Sequence, residues 1–264
     1  MIPNEDELSD ELARVRVSFS ETAEAYRKSP AHGSPVDLAR MLEVVAPKAG
    51  EAVLDVASGG GHTAVALGET GAFVIALDVT PAMLRETRHL AQQKKVSLRS
   101  RVLADGQLLP FARRSFEIVT SRLAVHHFRG AHLAIREMSR VLRPGGRLYI
   151  FDLSAPDEPE LGVLLNDVER LRDPSHMDSH PPSHWRRMIE TVGLEIRHFH
   201  WMNRAPYDME TWFERSRTPK PARKEVFKKL AQANLAAKKV FQIEEHEDAW
   251  RFGSPVIEIL AVKR

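Results

Sequence analysis

Between residues 52 and 155 the chain repeats one unit: a short apolar run, a turn and, in most repeats, an amphipathic helix. Runs this short and this continuously apolar suit strands buried on both faces of a parallel sheet, which have no solvent side to alternate with. EAVLDVA runs into Ser58-Gly59-Gly60-Gly61 and an alanine-rich helix up to Gly68. AFVIALD (72–78) is a second strand, and Thr80-Pro81 supplies an N-cap and an N1 proline for a helix to about Gln93. LRSRVLAD (98–105) is a third, whose arginines mark it as partly exposed. SFEIVTSRLAV (115–125) is a fourth, followed by a helix through Ile135 and Val141 that Arg143-Pro144-Gly145-Gly146 stops, and RLYIFDLSA (147–155) is a fifth. Strands alternating with helices in this way predict a parallel sheet with right-handed crossovers, and ligands on such sheets bind beyond the carboxyl ends of the strands.

The flanks complete the architecture. From about Leu8 to Ala46 the pattern is helical, with Leu38, Met41, Leu42 and Val45 on one face, until Pro47 and Gly50 end it. Beyond Pro156, HWRRMIETVG reads as a helix, LEIRHFHW as a strand, Tyr207 to about Phe241 as mainly helical and SPVIEILAVK as a last strand. The expected fold class is α/β: a Rossmann-like, doubly wound, seven-stranded, mostly parallel sheet in an αβα sandwich, with N-terminal helices and a helical insert forming a cap. The expected units are an N-terminal cap (1–46), the core (47–203), the cap insert (204–241) and the final core strand (242–264).

Several function classes drop out. With no cysteine among its 264 residues, the chain has no disulfide framework, thiolate zinc site or cysteine nucleophile, which fits a reducing compartment. The first twenty residues are acidic and lack a secretion signal, and no run approaches the roughly 18 apolar residues of a membrane helix, so a cytoplasmic protein without integral membrane association is expected. A net charge of +2 gives no argument for nucleic acid. His176, His180 and His184 share a four-residue spacing, but Pro181 and Pro182 break the helix that would align them, so no metal is expected. The basic run from Arg215 to Lys239 carries Val226, Phe227, Leu230 and Leu235 at helical spacing, which reads as an amphipathic cap helix rather than a nucleic-acid or membrane surface.

The chemistry concentrates in VLDVASGGGHTA (53–64). Its glycines let the backbone turn tightly against a ligand, and the following helix offers free N–H groups. As a dinucleotide fingerprint it fails twice, with Ala57 at the first glycine position and His62 at the last, which disfavours a nicotinamide enzyme. Asp78, at the end of the second strand, can accept both ribose hydroxyls, and Asp105 with Gly106 can read an adenine amino group. Asp55, Asp78 and Asp105 together make an acidic rim that suits a sulfonium bearing an ammonium group and suits a pyrophosphate poorly.

On these segments the chain resembles the class I S-adenosylmethionine-dependent methyltransferases, in particular the group (methyltransferase type 11) that includes the ubiquinone- and menaquinone-biosynthesis C-methyltransferases. LDVASGGGHTA, ALDVTPAML, ADGQLLPF, SFEIVTSRLAVHHF and VLRPGGRLYIFD are similar to the family's successive motifs, in order, over roughly residues 15–155. The resemblance implies S-adenosylmethionine as cofactor, with Ala57 and Gly59 against its methionine part and Asp78 on its ribose. It further implies Met83 on the ribose or adenine face, Asp105 and Gly106 at the adenine and the backbone near Ser121 at the amino group, with Asp55 and Val79 completing the set. The implied reaction is in-line transfer of a methyl group to a C, O or N nucleophile of a small molecule, releasing S-adenosylhomocysteine. A non-catalytic cofactor-binding module, and methylation of a quinone or RNA, are the alternatives. AEAYRKSPAHGSP (23–35) replaces the asparagine-aspartate signature of the quinone enzymes, which speaks against a quinone.

For the acceptor side, His126 and His127 follow the fourth strand, where an imidazole can act as base or merely pack. Tyr26, Arg27 and His32 belong to the N-terminal cap and can close on the substrate, as can Arg172, Asp173 and His176, unless these last three form a solvated helix end. Asp152 is either a site carboxylate or a helix-capping group, and Glu117 is expected to face solvent. The sequence leaves the oligomeric state open, with a homodimer allowed.

Overall fold

A computed structural model of the chain describes residues 5–246 and 249–264. Its helices are α1 (Glu5–Lys28), α2 (Pro35–Val45), α3 (His62–Glu69), α4 (Pro81–Lys94), α5 (Ala131–Val141), α6 (Pro159–Arg172), α7 (Pro182–Thr191), α8 (Met209–Arg215), α9 (Lys220–Ala231) and α10 (Leu235–Val240). The strands are β1 (Ala52–Val56), β2 (Phe73–Asp78), β3 (Ser100–Leu103), β4 (Phe116–Arg122), β5 (Leu142–Leu153), β6 (Leu194–Met202), β7 (Tyr207–Asp208), β8 (Glu244–His246), β9 (Ala249–Phe252) and β10 (Val256–Lys263). Residues 1–4 of the expected N-terminal cap, and Glu247 and Asp248 of the expected last unit, lie outside the described residues.

The seven-stranded sheet runs β3-β2-β1-β4-β5-β10-β6, with β10 antiparallel to both of its neighbours and the strands from β3 to β5 parallel. Strand order reverses at β1, where β2 lies on one side and β4 on the other, so a crevice opens beyond their carboxyl ends. On one face, Met41 and Val45 of α2 and Ala64 and Leu67 of α3 pack on Val53, Val74 and Ile118. On the other, Ile135 and Met138 of α5 and Trp185 and Ile189 of α7 pack on Leu54, Val119 and Ile150. Every one of these side chains is fully buried, which is what the continuous apolar runs require.

A smaller core forms from elements beyond the sheet. Leu165 of α6, Trp212 and Phe213 of α8, Val226 and Leu230 of α9, Phe241 and Phe252 bury one another, and β7-β9-β8 form a three-stranded sheet alongside. The stretch expected as the final core strand (242–264) divides: Ala249–Phe252 pairs with Tyr207–Asp208 on one side and with Glu244–His246 on the other, and the main sheet resumes only at Val256. α6, absent from the sequence reading, starts at Pro159 just after the breakers Pro156, Asp157 and Glu158 and carries Leu161, Leu165 and Val168 into this core.

Local differences have local causes. The side chain of Thr80 does not cap α4; instead Asp78 Oδ1 accepts the Thr80 N–H at 2.8 Å. β3 stops at Leu103, before Asp105, and β5 begins at Leu142, so Arg143–Gly146 form an irregularity inside the strand, with Gly145 at φ +75°. Glu117 does not simply face solvent, since its carboxylate accepts the Ala52 N–H at 2.8 Å and pairs with Arg143. Val226 and Leu230 are buried as expected, but Leu235 is 86% exposed because α10 is a separate helix that turns that residue outward. Among the described residues no helix is long and apolar enough to cross a membrane.

Candidate active site

The crevice at the strand-order reversal is a cleft with Asp55, Ala57, Gly59, Asp78, Val79 and Met83 on its wall. Asp55, one residue before the end of β1, faces Thr120 of β4, whose hydroxyl donates to Oδ1 at 2.8 Å, while Oδ2 is buried with no partner. Burial pushes this carboxyl up to about 7, although the Thr120 hydroxyl and Arg122 act in the opposite direction. Asp78, at the end of β2, accepts the Gly59 N–H on Oδ2 at 2.9 Å and thereby fixes the glycine turn. Burial raises its carboxyl, and the N–H donors of Thr80 and Gly59 oppose that.

The turn is shaped by close approach. Ala57 holds φ +54°, a left-handed conformation uncommon for a residue bearing a Cβ. A Cβ at Gly60 would meet Cα and N of Arg27 at 3.0 and 3.1 Å, so α1 lies directly on the turn. Arg27 itself pairs with Glu86 of α4 and stands outside the cleft wall, pinning α1 rather than reaching a ligand. Phe19 and Tyr26 of α1 pack against Ala23, Ala82 and Met83.

A second cleft, of about 1720 Å³, opens between the end of α1, α6 and α8. Tyr26, His32, Leu123 and His127 line both clefts and so mark their junction. His126 lines the second. Its Nδ1 meets Asp152 Oδ1, and Asp152 Oδ2 accepts the Val125 N–H at 2.6 Å, so this carboxylate both holds the imidazole and caps the 3₁₀ turn Val125–His127. Burial alone would raise the Asp152 carboxyl, but His126 and the N–H groups of Leu153 and Val125 hold it below its usual value. His127 Nδ1 lies 3.1 Å from the Ser175 carbonyl, and burial together with the adjacent His126 keeps this ring below its usual pKa.

Other residues singled out in the sequence fall elsewhere. Arg172, Asp173 and His176 are 4, 2 and 2% exposed, which overturns the solvated helix end. Arg172 reaches the second cleft; Asp173 accepts from Ser175, and His176 donates from Nε2 to Asn166 Oδ1 at 2.8 Å, both behind the wall. Asp105, Gly106 and Ser121 are not brought to either cleft. Asp105 turns back to accept the Gln107 N–H at 2.8 Å, the Ser121 hydroxyl is buried without a partner, and Phe128 covers Gly106, where a Cβ would meet Cζ at 2.9 Å.

The sequence reading missed Arg122. It closes β4, lines the first cleft, donates from Nε to Thr63 Oγ1 at 2.9 Å and from Nη2 to the His32 carbonyl, and keeps Nη1 buried and unpartnered. A cationic residue at the carboxyl end of a strand whose side chains are almost all buried was the available signal. Tyr207, Trp212 and Arg215 of the second cleft were also missed, for they read only as parts of a helical insert.

Comparison with known proteins agrees with this geometry. Residues 54–150 match the family described as "Methyltransferase domain". The chain is similar to the uncharacterized methyltransferase YcgJ of Bacillus subtilis, 33% identical over 90% of this chain and 92% of that protein. The crystal structure of YcgJ superposes with a TM-score of 0.81 at 32% identity, covering 86% of this chain and 97% of that one. A demethylmenaquinone methyltransferase of Corynebacterium efficiens is 37% identical over 46% of this chain and 49% of its own length. A glycine turn beneath two acidic strand ends, in a doubly wound sheet matched almost end to end by YcgJ, places the chain in the class I S-adenosylmethionine-dependent methyltransferase family.

Proposed function

We propose that the chain binds S-adenosylmethionine in the first cleft and transfers its methyl group to a small molecule in the second. The observation that carries this reading is the junction itself: Tyr26, His32, Leu123 and His127 belong to both walls, so a group leaving one cleft enters the other. The residues present fit the cofactor. Asp55 offers a buried, unpartnered oxygen suited to an ammonium or sulfonium, and Gly59 has open space where a Cβ would stand. Asp78 keeps spare lone pairs for ribose hydroxyls beyond the one N–H that each oxygen accepts.

When bound, S-adenosylmethionine supplies an electrophilic methyl on a sulfonium. The protein's task is then to hold an acceptor in line with it, which by itself supplies much of the acceleration. Where the acceptor must lose a proton, His126 is the base. Asp152 holds Nδ1, leaving Nε2 at the opposite edge of the ring to take the proton, and stabilises the imidazolium that results. His127 sits at the junction as a neutral ring, its Nδ1 directed to the Ser175 carbonyl, and with Tyr26 narrows the passage between the clefts.

The test is calorimetry with S-adenosylmethionine and S-adenosylhomocysteine, followed by incubation of the protein and methyl-labelled cofactor with a metabolite extract. Saturable binding and label in a small-molecule fraction are expected. Well-folded protein that binds neither ligand refutes the reading, and binding without turnover returns it to a cofactor-binding module.

A further inference from the structure

We propose that the methyl acceptor carries an anionic group, a carboxylate or a phosphoryl group, held in the second cleft by Arg215 with Arg172 beside it. This rests on the methyltransferase reading and names the substrate class of that same site.

Among the described residues, most of the cations lining the cleft are paired with a carboxylate, and Arg215 is not. Arg172 gives Nε and Nη2 to Glu169 at 3.0 and 2.9 Å, and Arg204 pairs with Asp37 at 2.6 Å. Lys28 pairs with Glu24 at 2.6 Å, and Asp208 accepts the Thr211 N–H and hydroxyl at the start of α8. Glu214 is exposed. Arg215 pairs with no carboxylate among the described residues, and its Nε is buried without a hydrogen-bond partner. Arg172 likewise keeps Nη1 buried and unpartnered after Glu169 is satisfied. Burial and the neighbouring Arg172 both lower the Arg215 pKa, with Tyr26, Tyr207 and Glu169 acting in the opposite direction, while for Arg172 burial is outweighed by Glu169 and by Asp173 at 3.8 Å, which raise its pKa.

A partly buried guanidinium without a counter-ion is costly, and its planar fork fits carboxylate or phosphoryl oxygens with two parallel hydrogen bonds. Both arginines line the cleft that also receives His126. The cleft runs from the arginines to the junction residues Tyr26, His32 and His127, so an acceptor can lay its anionic end at the arginines while its reacting atom reaches the junction. Arg172 is further held by its stack on the Trp212 ring, 4.8 Å from the centroid, which presents it in a fixed orientation. Of the residues that carry this site, Trp212 and Arg215 come from α8 and Arg172 from the end of α6, so the part of the chain outside the main sheet supplies the selectivity.

The experiment titrates the full-length protein, with and without saturating S-adenosylhomocysteine, against benzoate, phenyl phosphate and the neutral isostere benzamide. Benzoate or phenyl phosphate should bind roughly tenfold or more tightly than benzamide, the stronger of the two identifying the anion. Arg215→Gln should abolish that preference while leaving S-adenosylhomocysteine affinity unchanged, and Arg215→Lys should restore part of it. Benzamide binding as tightly as both anions, or a preference that survives Arg215→Gln, overturns the proposal. The three-probe comparison on the unaltered protein decides the matter even if the variants do not fold. S-adenosylhomocysteine binding is read separately in the same samples, so a failure of the methyltransferase reading is distinguishable from a failure of the anion site.

Discussion

His126 and Asp152 meet across the carboxyl ends of β4 and β5, the imidazole Nδ1 on one carboxylate oxygen and the Val125 N–H on the other at 2.6 Å. The His126 ring also lies 4.1 Å from His127 and 5.4 Å from His176, centroid to centroid, so three imidazoles share one buried pocket in which the Asp152 carboxylate orients one of them. Burial and its histidine neighbours keep His176 well below its ordinary pKa. His126 alone of the three meets a carboxylate side chain through a ring nitrogen.

Removing the oriented imidazole tests its part in transfer. His126→Ala is expected to slow label transfer by about 10²–10⁴-fold, the usual span for a general base, with the S-adenosylmethionine Kd changed less than about threefold. Asp152→Asn should slow it similarly and also cost about 1–3 kcal/mol of stability, because the cap on the Val125 N–H weakens. A full rate in His126→Ala would show that the acceptor needs no base from this ring.

Asp55 makes apo-protein stability depend on pH with a definite sign. Its carboxyl titrates at about 7 in the fold against the ordinary 3.8, so between these values the folded state binds a proton that the unfolded chain has lost. The stabilisation is complete below about 3.8 and is lost as pH rises through about 7. Asp55→Asn should therefore gain stability relative to the parent by a few kcal/mol between pH 4 and 8, at about 1.4 kcal/mol per unit, as read from urea melts. The same variant should bind S-adenosylmethionine about tenfold or more weakly, since a charged acceptor is replaced by a neutral amide.

Gly60 and Gly59 should respond differently to the same added methyl. Gly60→Ala sets a Cβ against the Arg27 backbone at 3.0 Å, forcing α1 off the turn, with a cost of about 1–3 kcal/mol and faster hydrogen exchange along α1. Gly59→Ala meets open space and carries only the penalty of φ +52°, about 1–2 kcal/mol, with exchange in α1 unchanged.

Arg122 ties three elements together, β4, Thr63 of α3 and the His32 carbonyl between α1 and α2. Arg122→Lys is expected to fail as a replacement, because one ammonium cannot reach both partners as a planar fork does. Hydrogen exchange at residues 29–34 should rise in Arg122→Lys and Arg122→Met alike, with weaker cofactor binding in both. Exchange that stays at the parental rate would show that the loop is held by other contacts.

The order and type of the sheet elements were legible in the sequence because they rest on local physics. An apolar run can be buried, a glycine can take a left-handed turn, and a proline can start or stop a helix, whatever lies further along the chain. Asp55, Ala57, Gly59 and Asp78 could be named for the same reason, since strand ends and the turn between them are local features that the parallel sheet then aligns. Tertiary structure alone decided the rest. Arg122 meets His32 across 90 residues, His126 meets Asp152 across 26, and Glu169 meets Ser254 across 85. No periodicity encodes such pairs. Phe128 over Gly106, Leu235 turned outward and Arg215 left without a carboxylate likewise follow from which surfaces pack together. The sheet and the glycine turn of the first cleft are thus written in short-range pattern, whereas the second cleft arises where distant segments bury polar groups that only the assembled fold can pair or leave unpaired.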